Sequence, residues 1–183
     1  VYKRQKRPME DAAAKELAEA ARARVDVLRS LLRTPAVSGD DEYERLLKDV
    51  FDATAKLLGR EPTNHRGPES EEGWKVAGFQ ATAPDREFRG GGLLGLHCLL
   101  HALEHHPATC AKLLDGPFPF AAASINMTLV AARLAGVASA DDAMKASISD
   151  KSPQNAPYHC RSLLATSHAG FFEVHALALD ALE

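Results

Sequence analysis

The sequence has 183 residues, 45% hydrophobic and 26% charged, a balance that fits one globular domain with a sizeable core. A net charge of −3 and an aromatic content of 6% exclude nucleic acid as the main partner, because neither a basic footprint nor a base-stacking platform is present. Three cysteines, Cys98, Cys110 and Cys160, are too few and too irregular for a disulfide framework and read as reduced thiols of a cytoplasmic protein.

The chain opens with the basic run YKRQKRP, which is expected to be a solvated arm; contact with an anionic membrane surface is its alternative role. No signal-peptide pattern is evident, and the start at Val1 leaves room for residues upstream. From 10 to 33 the chain is rich in Ala, Leu, Glu and Arg, and Leu17, Ala21, Val25, Leu28 and Leu32 share one helical face. Thr34 and Pro35 end that helix. A second helix is predicted from Ser38, with Asp41 completing a capping box, through Leu46, Leu47, Val50, Phe51, Leu57 and Leu58 to Gly59 as the terminating glycine.

Residues 60–73 carry Pro62, Asn64, Gly67, Pro68 and a run of acids, and read as a loop. Helical period returns over 93–105, and Pro107 can open a short helix reaching 114. The apolar stretch 118–136 is interrupted by Ser124, Asn126, Thr128 and Arg133, so it reads as a buried helix over 120–134 and not as a membrane span. A short polar helix over 141–148, a loop over 151–157 and a helix over 158–182 with a break at Gly170 complete the chain. The fold class is all-α. A flexible basic segment (1–9) precedes one domain (10–183), made of a helical pair (10–59), a loop (60–73) and a helical core (74–183).

The stretch PDREFRGGGLLGLHCLLHALEHH, 84–106, holds most of the chemistry. Gly90, Gly92 and Gly95 match G-x-G-x-x-G, but no strand precedes them and no parallel sheet surrounds them, so a dinucleotide site is not expected. The glycines instead suit a tight helix entry and close backbone packing. His97, His101 and His105 stand at i, i+4 and i+8, a spacing at which two rings can share zinc. There is no H-E-x-x-H and Glu104 is the one acid at hand, so interfacial histidines and no metal site are expected. Leucines flank Cys98, which predicts a buried, inert thiol, and no G-x-S-x-G is present.

Residue chemistry leaves two readings of Arg89 open. It can pair with Glu87 or Asp85, or it can reach outward from a loop and offer its planar fork of donors to phosphate oxygens.

The segment WKVAGFQATAPDREFRGGGLLGL, 74–96, resembles the signature of the ELMO domain, approximately W-x-x-x-G-F-Q, a short gap with proline, then T-D-F-R-G-x-G and a leucine-rich helix. Trp74, Gly78, Phe79, Gln80, Pro84, Phe88, Arg89, Gly90 and Gly92 fall on it. FPFAAASINMT, with Asn126, and the closing FFEVHALALDALE are similar to two further segments of the family. The resemblance implies an all-helical domain of one of two groups. One comprises activators of Arf-family and Arf-like small GTPases, with the arginine of the F-R-G motif as their catalytic finger. The other comprises engulfment and cell-motility scaffolds that partner Dock-type exchange factors and lack that arginine function. Retention of Arg89 favours the first group.

On this reading Arg89 is the finger and Glu87 orients it, while Arg86, Gly90, Gly91 and Gly92 face the partner. Trp74, Gly78, Phe79, Gln80, Pro84, Phe88 and Asn126 are motif residues, with Trp74, Phe79 and Gln80 holding the loop from behind. No cofactor is expected, since the GTPase carries GTP and Mg²⁺. Arg86-Glu87 replaces the family's Thr-Asp, His101-Ala102 stands where an aromatic pair is common, and Gly91 replaces a bulkier residue, which should loosen the turn.

Overall fold

The computed structural model describes residues 8–81, 84–138 and 169–182, with side chains from residue 15 onward. Seven α-helices and one 3-10 helix make up the described residues, and no strand occurs among them. In chain order these are α1 (Pro8–Arg33), α2 (Asp41–Leu57), α3 (Ser70–Val76), the 3-10 helix (Pro84–Arg89), α4 (Gly92–His105), α5 (Pro107–Leu114), α6 (Phe120–Leu134) and α7 (Gly170–Asp180). The all-α expectation holds. The basic opening run up to residue 7, the helix over 141–148, the loop over 151–157 and Cys160 lie outside the described residues. Helix α7 begins at Gly170, where the sequence predicted a break.

Helix α4 organises the molecule. It packs against α1, α2, α6 and α7, and its residues enter two separate apolar clusters. Leu93, Leu96, Leu99 and Leu103 join Leu46, Leu47, Val50 and Phe51 of α2, whereas Leu94 and Cys98 join Leu28 and Leu32 of α1, Leu129 of α6 and Phe171 of α7. A helix apolar around most of its circumference is what burial on several sides requires. The stripe on α1 is covered only at its C-terminal half, since Leu28 and Leu32 are buried while Leu17 is exposed.

Two predicted boundaries shift for local reasons. Asp40, not Ser38, caps α2, with its carboxylate accepting from the Tyr43 N–H at 3.0 Å. The Ser38 hydroxyl and the Gly39 N–H turn to Glu44 Oε1 instead. Within the predicted loop 60–73, the run of acids opens α3, because carboxylates at Glu71 and Glu72 suit the positive end of a helix. At the end of α2, Gly59 adopts φ +65° as expected of a terminating glycine.

Helix α6 has Pro119 at its N-cap, which offers no side-chain acceptor, and its free N–H groups are met by backbone from α3's exit. Ala121 N–H donates to the Ala77 carbonyl at 3.2 Å and Ala122 N–H to the Gly78 carbonyl at 3.4 Å. Gly78 sits at φ +83°, and a Cβ there would lie 2.3 Å from the Phe120 nitrogen, so only glycine permits this contact.

Candidate functional site: an exposed arginine on a braced 3-10 helix

Five aromatic rings carry the 3-10 helix. Phe51 of α2 meets Trp74 of α3 at 4.7 Å between centroids, Trp74 meets Phe79 at 5.1 Å, and Phe79 meets Phe88 at 5.8 Å. Tyr43 closes the series edge-on to Phe88 at 6.5 Å. All five are buried, as is Pro84, and Trp74 Nε1–H donates to the His65 carbonyl at 3.0 Å. Phe88 also lies under Gly95 of α4, where a Cβ would come within 3.3 Å of its ring. The residue before Arg89 is thus sealed into the core, and this fixes where Arg89 emerges.

The acids of the same turn are engaged elsewhere. Asp85 accepts from Tyr43 Oη–H at 2.6 Å and from Arg66 Nη1 and Nη2 at 3.0 and 2.7 Å. Arg66 also donates through Nε and Nη2 to Glu44 at 2.9 and 2.8 Å, so one guanidinium clamps α2 to the 3-10 helix. Its Cζ lies over the Tyr43 ring, 5.7 Å from the ring centre. Hydrogen bonds from Arg66 hold Glu44 down to about 2, with help from the Gly39 N–H, and hold Asp85 below the usual carboxylate range. Burial, followed by the Asp85 hydrogen bond, pushes the Tyr43 phenol up. Both carboxylates therefore stay ionised and matched to Arg66.

Glu87 Oε1 accepts from the Ala81 N–H at 2.7 Å, bracing the entry to the 3-10 helix. Arg89 itself is exposed, and among the described residues it has no hydrogen bond or ion pair. Of the two readings the sequence left open, pairing with Asp85 or Glu87 is not what the geometry shows. Glu87 contacts the backbone at Ala81 rather than Arg89, so any influence it has on Arg89 passes through the loop. Arg86 is also exposed.

The three glycines differ. Gly90 is partly exposed, while Gly91 and Gly92 are buried, so these two face the fold and not solvent. Gly92, at φ +53°, lies so close to the end of α1 that a Cβ would fall 2.5 Å from the Leu32 carbonyl oxygen. Leu93 N–H donates to the Thr34 carbonyl at 3.1 Å at the same junction. Gly91 has ordinary helical dihedrals (φ −97°, ψ −13°) and donates to the Phe88 carbonyl at 3.1 Å, so its backbone needs no conformation reserved for glycine. Gln80 and Asn126 are exposed, and Gln80 does not back the loop as Trp74 and Phe79 do.

The histidines regroup. His97 faces Glu42 at 3.9 Å and has its basicity lowered by burial, while His101 and His106 converge on Glu173 of α7. The acid is supplied from 67 to 72 positions away, beyond any local spacing rule. Cys98 and Cys110 are buried, and burial pushes both thiols up to about 12, which removes them as nucleophiles. Arg66, Tyr43 and Glu44 are the site residues that the sequence reading missed. An arginine in the middle of an acid-rich loop was the available signal.

The model of the ELMO/CED-12 family matches residues 26–183. The chain belongs to the ELMO/CED-12 family. It is 44% identical over 57 residues to ELMO domain-containing protein C of Dictyostelium discoideum, an alignment covering 30% of this chain and 9% of that protein. It is 29% identical over 107 residues to ELMO domain-containing protein B of the same organism, covering 56% of this chain and 36% of that protein. The chain thus spans about a third or less of these ELMO relatives' own lengths. No solved structure matches this ELMO domain. No described helix is long and apolar enough to cross a membrane.

Proposed function

We propose that this ELMO domain stimulates GTP hydrolysis by a small GTPase of the Arf or Arf-like family, inserting Arg89 in trans. The observation that carries the proposal is the contrast within one turn. Phe88 is sealed in the core, Asp85 and Glu87 are matched to Arg66 and Ala81, and Arg89 projects with its donors unused by described neighbours. A guanidinium held this way meets developing negative charge at a transferring phosphoryl group without first breaking an ion pair of its own. Such a finger contributes on the order of 10³ to 10⁵ in rate. Arg86 and Gly90, beside it on the surface, border the docking face. GTP and Mg²⁺ arrive with the GTPase.

The test is single-turnover GTP hydrolysis by a panel of Arf-family GTPases with wild type and with Arg89→Ala. Stimulation by wild type that disappears in the variant is expected. Equal stimulation by both proteins removes Arg89 from the mechanism. Capture of a GTPase without any acceleration would leave the domain as a docking module.

A further inference from the structure

We propose that His101, His106 and Glu173 form a binding site for a divalent transition-metal ion, zinc by ligand type, that fastens α7 to the corner between α4 and α5. The proposal is independent of the GTPase reading. One ligand atom from each of the three residues lies within 4.8 Å of the other two. His101 Nε2 is 3.0 Å from Glu173 Oε1, and His106 Nε2 is 3.1 Å from Glu173 Oε2.

The convergence is not an accident of helical spacing. Five positions along one helix would set the two histidines about 140° apart. Pro107 disfavours helical dihedrals at the residue before it, and His106 sits at φ −126°, ψ 48°, where α4 stops. That break brings its ring back beside His101. Helix α7 then contributes Glu173, and Phe172 packs over His101 with ring centres 5.3 Å apart.

Two imidazoles and one carboxylate form a donor set suited to zinc and poorly suited to calcium or magnesium, which favour all-oxygen shells. The His101 side chain is only 14% exposed whereas that of Glu173 is 45% exposed, so one side of the triad is walled by protein and the other is open. Water can complete a tetrahedral shell from that open side. Tetrahedral binding at ~2.0–2.1 Å per ligand draws the nitrogens to roughly 3.3 Å apart, a closure within reach of rotation of the partly exposed His106 ring. Without metal, each Nε2–H donates to Glu173. Metal binding replaces those protons, and each neutral ring then carries its hydrogen on Nδ1.

The experiment uses untagged protein stripped with chelator, titrated with zinc sulfate by calorimetry and melted with and without zinc. Cobalt(II) absorption reports the coordination number. The expected result is one zinc per chain, with a melting temperature raised by about 5–10 °C at a hundredfold excess over Kd and restored by chelator. Glu173→Gln and His106→Ala should each weaken binding at least about a hundredfold, while His97→Gln, one turn away, leaves it unchanged. His106 is half-exposed, so its variant keeps the core intact should Glu173→Gln fail to fold. Absence of saturable zinc binding, or binding undiminished in His106→Ala, overturns the proposal.

Discussion

Arg66 reaches from the connection between α2 and α3 to take both oxygens of Asp85, one position after the start of the 3-10 helix that ends at Arg89. The same guanidinium holds Glu44, so the position of the exposed arginine depends on a second, half-buried one. Arg66→Ala should cost about 1.5–3 kcal/mol of stability, the range for hydrogen bonds to charged groups. Amide exchange should accelerate over 84–91, and GTPase stimulation should fall although Arg89 is intact. Arg66→Lys should not restore it, because an ammonium lacks the fork that spans two carboxylates. Unchanged exchange over 84–91 in Arg66→Ala would show that the aromatic ladder suffices to hold the turn.

Arg89→Ala should leave the melting temperature almost unmoved, within about 0.5 kcal/mol in stability terms, since the side chain is exposed. Loss of stimulation with the fold retained is the signature of a group that acts on a partner. A large drop in stability would assign Arg89 to the fold instead.

The glycines should separate sharply under substitution. Gly92→Ala forces a Cβ against the Leu32 and Thr34 carbonyls at positive φ, and should cost about 3 kcal/mol or more. Gly91→Ala meets Gly95 Cα at 3.4 Å in a conformation any residue adopts, and should cost at most about 1 kcal/mol. Denaturant unfolding of the two variants checks the difference, and similar costs would contradict the geometry.

His175 gives stability a pH dependence. Its Nε2–H donates to the Ser124 carbonyl at 3.0 Å, and its Nδ1 is buried without a partner. Burial, with a smaller contribution from His101 and His106, lowers its pKa from 6.5 to about 4. The unfolded chain therefore binds this proton more readily than the folded one. The contribution is fully present above about pH 6.5 and is lost as pH falls from there through 4. It is worth on the order of 3 kcal/mol. Glu44, lowered from 4.5 to about 2, adds a second loss between those values. Melting curves against pH should show His175→Gln flatter than wild type between pH 6.5 and 4, while Glu44→Gln should be less stable than wild type by a constant amount above pH 4.5, a deficit that shrinks as pH falls from there toward 2.

Much of the fold was legible because apolar period and helix stop signals are local. The extents of α5 and α6, and Gly59 as the end of α2, follow from residues within one turn of each boundary. Helix α3 was hidden because its seven residues give too short a period to register, and its stability comes from Trp74 in the aromatic ladder. Motif resemblance picked out Arg89, but its exposure follows from the long-range pairing of Asp85 with Arg66 and Tyr43, across 19 and 42 positions. Similarly, the histidine ladder on α4 gave His101, while its partner ring His106 lies past the end of that helix and the acid that joins the two comes from a helix 67 to 72 residues on. Local patterns set which face of an element is apolar; they do not say which charged groups the packing of distant faces will bring together.

The chain has a single tryptophan, Trp74, and it stands two ring contacts from Phe88. Its indole emission is therefore a built-in optical reporter of the region from which Arg89 projects. Association with a GTPase that shifts the 3-10 helix would register as a change in intensity or wavelength, without any attached dye, and stopped-flow mixing would time docking separately from any hydrolysis.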